Sequence, residues 1–310
     1  MLIFRTYLNI SNAEYFLNNI TNHPILGSIS YLGWLGVPMF FFLSGYGLQK
    51  KYGGKIHNQF SFIKKHYLKL LCLAGPIIII NNLHAHIKIV HILGQLTFLN
   101  NIPFENNILP AAFWYLRVAL QFYILYALFF FRIKPKYLLF SGIVISICFI
   151  FIDDQVTRLF KYHFIGWFLD FALGCYFAVN NNCIKQIEKK GYIFFFFVIL
   201  LISCVNKHLW IFCDTISILF LLSIKRFINI KLLIHIGTLS AVLYVTHPLV
   251  RNLWLYINID YMKDNILLIS ISLIFYFISC ISTAFIYKYF YDYVIYFIKI
   301  KRNYGKNESQ

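Results

Sequence analysis

The chain has 310 residues, of which 60% are hydrophobic and only 13% are charged, and its formal net charge is +17. A soluble domain is about 45–50% apolar and about 25% charged, and here the apolar excess extends along the whole length. The composition therefore excludes a soluble domain with one anchor and predicts an all-α, polytopic membrane helix bundle.

The chain begins with a short apolar stretch, Met1–Leu8, interrupted by Arg5 and Thr6. It is too short to span a bilayer, which takes about 20 residues, so we expect it to be the end of a partial first helix. The Asn-rich segment that follows, 9–30, has the composition of a loop.

About nine complete spans then follow in the apolar pattern. We place them at 31–48, 63–82, 109–131, 136–152, 163–179, 192–206, 210–224, 234–257 and 265–287. A shorter apolar piece at 87–99 has the length of a re-entrant or interfacial segment. The pattern shows no break between domains, so 1–300 is interpreted as one membrane domain, and 301–310 as a polar, disordered tail.

The basic residues predict the orientation of this bundle. Alternate loops and the C-terminal end carry 20 of the 28 Lys and Arg, whereas the other loops carry only Arg5, Lys88, Arg158, Lys161, Lys207 and Lys263. Under the positive-inside rule the basic loops and the C-terminus are cytoplasmic. Because the charge lies in short loops between spans, we expect a lipid bilayer and no nucleic acid among the partners.

The first complete span ends in small residues, in the segment Val37-Pro-Met-Phe-Phe-Phe-Leu-Ser-Gly-Tyr-Gly-Leu48. Ser44, Gly45 and Gly47 allow the close approach of either another helix or a ligand. The charge pattern places this end of the span near the cytoplasmic face.

Two spans contain polar residues where lipid is expected, and such residues often mark a site. Arg117 has Gln121 one turn later on the same face, which fits either an anion-binding Arg or an Arg that extends to the outer interface. Ser240, Tyr244 and His247 share a face, and we expect Pro248 to end the helix and free carbonyls near the imidazole. His247 then either handles a proton or serves as a structural hydrogen-bond donor.

Three further groups of residues are candidates for a site or for a structural role. Asp170 lies on the same face of its span as His163, seven residues earlier. A carboxylate inside a membrane span needs a partner, and a buried Arg is one candidate. Lys65, His66 and Lys69 lie at a cytoplasmic helix mouth, where they suit an anionic ligand or ordinary flanking charge. The 7 Cys residues lack metal-ligand spacing, so we expect neither a metal site nor a disulfide framework.

Four segments together resemble the integral-membrane acyltransferase-3 family, which includes bacterial O-acetyltransferases of polysaccharides and lipopolysaccharide. They are Gly36-Val37-Pro-Met-Phe-Phe-Phe-Leu-Ser-Gly-Tyr46, the basic helix start Phe62 to Leu70, Phe113-Trp114-Tyr115-Leu116, and Ser240-Ala-Val-Leu-Tyr244-Val-Thr-His247-Pro248. The first and the last are the more specific.

The chain departs from the family pattern at two places. The family's catalytic His on the first membrane helix is missing, and Arg5, which stays protonated and cannot act as a base, stands near its expected position. The basic R-x-x-R segment is reduced to His66 and Lys69, which lack the bidentate fork of Arg. We therefore expect either a truncated first helix or a member with altered or no activity.

The resemblance implies acyl transfer, often of acetyl, from a cytosolic acyl-CoA co-substrate to a hydroxyl of a cell-surface glycan or similar acceptor, with no bound cofactor. Lys65, His66 and Lys69 would bind acyl-CoA; Ser44, Gly45, Tyr46, Trp114 and Ser240 would line the substrate path; and His247, Tyr244 and Arg117 are the catalytic candidates. It also implies the inner (plasma) membrane of a bacterium. The alternatives are a transporter of glycans or lipid-linked sugars and a catalytically inactive member.

Overall fold

A computed structural model describes residues 36–84, 89–98, 113–152, 160, 163–206, 208–227, 231–258 and 266–307. In these ranges the regular structure is entirely helical, which confirms the all-α prediction. The α-helices are α1 Gly36–Tyr52, α2 Gln59–His84, α3 Ile89–Leu96, α4 Trp114–Leu128, α5 Pro135–Phe149, α6 Phe168–Val179, α7 Asn181–Ile187, α8 Lys190–Val205, α9 Cys213–Ile224, α10 Lys231–Asn258 and α11 Ile266–Asn307.

Within the described residues, each of the nine predicted spans overlaps one of these helices, and the apolar piece at 87–99 contains α3. Helices form here because a chain in hydrocarbon must satisfy its backbone hydrogen bonds internally. Among the described residues, two helical stretches are suited by length and composition to cross a membrane, Gln59–Leu83 and Ile271–Tyr296. That all nine helices cross it stays a prediction.

Two sequence expectations about helix ends are wrong. Pro248 does not end its helix, because α10 continues for ten residues beyond it to Asn258. The polar tail expected to be disordered from residue 301 is helical as far as Asn307, since α11 runs for 42 residues and no Pro interrupts it. The partial first helix, Arg5 and the Asn-rich loop lie outside the described residues.

The described helices divide into two compact units. Unit 1 contains residues 1–63 and 115–229, and unit 2 contains residues 64–114 and 230–310. The centre of unit 1 is α6, in which ten of the twelve residues are buried. Helices α1 and α5 pack against α6, and α8 packs against α9. In unit 2, α10 packs along α11.

Candidate functional site

The small residues of α1 form a close helix crossing in unit 1. A Cβ atom at Gly45 would overlap the carbonyl oxygen of Phe171 on α6, and one at Gly174 on α6 would overlap the carbonyl oxygen of Phe42 on α1. The Cys175 thiol also donates to the Gly45 carbonyl at 3.5 Å. The close approach predicted for Gly45 is therefore present, and another helix occupies it.

Ser44, the neighbour of Gly45, belongs to a polar and aromatic cluster between α1 and α4. Its side chain shares a hydrogen bond with Tyr115 and another with Tyr123. Phe41 lies one turn earlier on α1, and its ring centroid is 4.9 Å from that of Tyr115 and 5.0 Å from that of Trp167. Ser44 thus presents a hydroxyl among aromatic rings, a surrounding that suits an uncharged substrate group.

Arg117 lies in the first turn of α4, nearer to the helix start than the predicted span placed it. Its side chain is only 5% exposed, so it packs inside the protein and does not extend outward to an interface. Gln121, one turn later, accepts a hydrogen bond at 2.9 Å from the backbone N–H of Phe164 through Oε1. Gln121 therefore holds the start of the short 3-10 helix Phe164–Trp167 that leads into α6.

Asp170 on α6 has a partner that the sequence did not indicate. The hydroxyl of Thr215 on α9 donates a hydrogen bond of 2.6 Å to its Oδ1 atom. The aspartate is 2% exposed, so this charge-assisted bond offsets part of the cost of burying it. Because 45 residues separate the pair, only the tertiary structure identifies Thr215 as the partner of Asp170.

The basic cluster Lys65, His66 and Lys69 lies early in α2. The Asn58 side chain accepts a hydrogen bond at 2.8 Å from the backbone N–H of Ser61 and so caps the start of this helix. Lys65 and Lys69 are exposed, whereas His66 is half-buried. Two exposed ammonium groups one helical turn apart form a suitable environment for phosphate.

His247 is held by the irregularity that Pro248 introduces into α10. Proline has no backbone N–H, so the carbonyl of Tyr244, four residues before Pro248, lacks its usual helical donor. Nδ1 of His247 lies 2.7 Å from that carbonyl oxygen. A carbonyl oxygen only accepts, so Nδ1 carries the proton. In the neutral ring, Nε2 then has a free lone pair and is able to accept a proton.

Arg251 follows His247 by one helical turn and therefore lies on the same face of α10. Its Nε atom is buried and has no hydrogen-bond partner in the described part of the chain. Asn252 beside it donates a hydrogen bond of 2.8 Å to Oδ1 of Asn81 on α2. Arg251 lies inside the span predicted at 234–257, and none of the sequence motifs assigned it a role. The spacing of four residues from His247 was the signal that could have found it.

The predicted site residues are distributed over both units. Ser44, Gly45, Tyr46 and Arg117 belong to unit 1, whereas Lys65, His66, Lys69, Trp114, Ser240, Tyr244 and His247 belong to unit 2. Within unit 2 the structure brings Tyr244 and His247 together, with ring centroids 5.7 Å apart. Trp114 and Ser240 are half-buried. A single site that contains all of these residues stays a prediction.

One protein-family model covers nearly the whole chain. The model of the acyltransferase-3 family, which is described as an acyltransferase domain, matches residues 2–288. No curated protein and no solved structure matches the chain.

Proposed function

The chain belongs to the acyltransferase-3 family of membrane proteins, and we propose that it transfers an acyl group, most simply acetyl, from acyl-CoA to a hydroxyl of a cell-surface glycan. The family match over residues 2–288 supports the transferase reaction. The observation that supports a role for particular atoms in this reaction is the hydrogen bond between Nδ1 of His247 and the Tyr244 carbonyl oxygen.

His247 is the proposed general base. Because Nδ1 donates to the backbone, Nε2 is the atom that accepts the proton of the attacking hydroxyl. The oxygen then forms a bond to the thioester carbonyl carbon, and the C–S bond to CoA breaks as the tetrahedral intermediate collapses. The proton on Nε2 passes to the leaving thiolate, which regenerates neutral His247.

Arg251 is proposed to stabilise the negative charge of the tetrahedral intermediate. It lies one turn from His247, and its buried Nε–H group has no protein acceptor among the described residues. A donor that is already buried strengthens its interaction with a developing oxyanion and needs no reorganisation. Tyr244, whose ring lies beside the imidazole of His247, is proposed to contribute to acceptor binding. Arg117 in unit 1 stays a separate candidate.

Lys65, His66 and Lys69 are proposed to bind the phosphates of the acyl-CoA donor. Their position early in α2, together with the predicted topology, supports a donor that arrives from the cytosol. Within unit 2, the acceptor hydroxyl is proposed to approach along Trp114 and Ser240. In unit 1, Ser44 and Tyr46 stay candidates for a substrate surface, whereas Gly45 packs against α6. We further propose that the protein resides in a bacterial inner membrane with its C-terminus in the cytoplasm.

The test is transfer of radiolabelled acetyl from acetyl-CoA to the glycan and glycolipid fraction of membranes that contain the protein. His247→Asn keeps an amide donor near the position of Nδ1, so it preserves the bond to Tyr244 and removes the base. We expect this variant to lose transfer by about 10²–10⁴-fold while the protein remains folded. Equal transfer by the variant and the wild type would exclude His247 as the base.

A catalytically inactive protein is the second candidate, and the specific observation in its favour is Arg5 in place of the family histidine. If the wild type transfers no label, Arg5→His separates the two cases. Transfer gained by this variant would show a degenerate enzyme that has lost one group. Absence of transfer in both proteins would favour a catalytically inactive protein and refute the acyltransferase proposal.

A further inference from the structure

Two cysteine side chains meet at the junction of α8 and α9. Cys204 lies in the last turn of α8, and Cys213 is the first residue of α9. Their Sγ atoms are 3.5 Å apart. Both residues are buried, at 4% and 2% exposure, in an apolar cluster with Leu200 and Trp210.

Hydrogen bonds to Asn206 hold the two helix ends in this position. The Oδ1 atom of Asn206 accepts hydrogen bonds from the backbone N–H groups of His208 at 2.9 Å and Leu209 at 3.2 Å. The N–H of Trp210 donates to the Asn206 carbonyl oxygen at 3.0 Å. The thiols are therefore brought together by local structure, and their separation does not depend on long, mobile side chains.

We propose that Cys204 and Cys213 form a disulfide bond in the mature protein. A disulfide has an S–S length of about 2.0 Å, so the sulfur atoms need to approach by about 1.5 Å, a movement that small χ1 rotations supply. The sequence spacing of nine residues predicted no such bond, since it matches no metal or disulfide motif. The packing of α8 against α9 is what makes this spacing suitable.

The predicted topology supplies the oxidising surroundings. The loop that contains Lys207 belongs to the set with few basic residues, which faces the outside of the membrane. Disulfides form and persist in such compartments. The proposed oxidant is a protein or small molecule that carries a reactive disulfide. Its S–S bond takes up two electrons and two protons through a mixed disulfide, and the two thiols of the chain release them as the new S–S bond forms.

Lys207 allows a direct test, because trypsin cleaves after it and separates the two cysteines. Membranes would be treated with N-ethylmaleimide at harvest and digested without reductant. We expect the peptides 191–207 and 208–225 to be recovered as one cross-linked species, two hydrogens lighter than their sum, which disappears after reduction. Recovery of both cysteines as maleimide adducts, or of either one linked to a different cysteine, would overturn the proposal.

Variants give a second readout. Cys204→Ser and Cys213→Ser should each abolish the cross-linked species, and each should unfold at the temperature of the reduced wild type. Cys148→Ser removes an exposed thiol from α5 and should keep both the cross-link and the wild-type unfolding temperature. If a serine variant does not fold, the peptide analysis of the wild type still decides the question.

Discussion

Gly45 on α1 and Gly174 on α6 lie at the crossing of these two helices. At either position a side chain would overlap the backbone of the other helix. The arrangement is reciprocal, since α6 contacts α1 at Gly45 and α1 contacts α6 at Gly174. Small residues at such crossings allow van der Waals contact between backbones, which is a main source of helix association in membranes. This crossing fixes Ser44 and its tyrosine partners beside the centre of unit 1.

Replacing either glycine by alanine should destabilise unit 1. The added methyl group meets rigid backbone, and overpacking of this kind costs about 1–3 kcal/mol. Gly47→Ala is the matched control, because no atom lies within 4 Å of a Cβ at that position on the same helix. Alanine is also the better helix former, so the control should be neutral or stabilising. Thermal unfolding of the detergent-solubilised proteins measures the difference, and equal unfolding temperatures for Gly45→Ala and Gly47→Ala would contradict it.

The bond from Thr215 to Asp170 should contribute to stability through the burial of the carboxylate. Thr215→Val keeps the shape of the side chain but removes the donor, and we expect it to cost about 1–3 kcal/mol. Thr215→Ser keeps the hydroxyl and should lose much less. Denaturant unfolding of both variants decides this. A valine variant as stable as the serine variant would show that the bond contributes nothing measurable.

Pro248 should act through the imidazole of His247. Pro248→Ala restores a backbone N–H that competes with Nδ1 for the Tyr244 carbonyl oxygen, so we expect lower acyl transfer. The same change removes a helix-interior proline and should stabilise α10, by up to about 3 kcal/mol. Transfer assays and thermal unfolding of one preparation test both effects.

A double variant identifies the route of that effect. If Pro248→Ala acts on the base, it should change transfer in the wild type and have little effect in a His247→Asn background. Equal relative losses in the two backgrounds would mean that Pro248 affects transfer independently of His247.

The basic cluster of α2 should bind the donor and leave the chemical step unchanged. We expect Lys65→Ala and Lys69→Ala to raise KM for acyl-CoA several-fold, at nearly constant kcat, because each removes a charge that attracts phosphate. The effect should weaken as ionic strength rises. Lys136→Ala, an exposed lysine at the start of α5, is the control. A fall in kcat with KM unchanged would contradict a donor-binding role.

Tyr287 should stabilise unit 2 by bracing α2 near its internal proline. Its hydroxyl on α11 donates a hydrogen bond of 2.8 Å to the carbonyl oxygen of Leu73, three residues before Pro76. Tyr287→Phe should cost about 1 kcal/mol. Tyr289→Phe is the control, since Tyr289 is 82% exposed on the same helix. Unfolding of both variants in detergent measures the difference, and equal losses would refute the assignment.

Much of the helical arrangement was predictable from hydropathy, but the partners were not. Each of the nine apolar segments overlaps a helix, because apolar composition and internal backbone bonding are properties of each segment alone. Local reasoning also predicted that Pro248 would free a carbonyl for His247. It wrongly ended the helix there, because a side chain that replaces the lost donor allows the helix to continue. Local patterns gave no signal for the long-range partner Thr215.

By itself, the sequence determined the helical class, the approximate helix positions and the family, since each follows from composition, periodicity or sequence motifs. The tertiary structure decided which polar and small groups meet: Gly45 with Gly174, Asp170 with Thr215, and Cys204 with Cys213. The physical reason is that these contacts depend on how helices pack and on the turns that join them. Hydropathy reports whether a segment is buried and carries no information about which helix covers it.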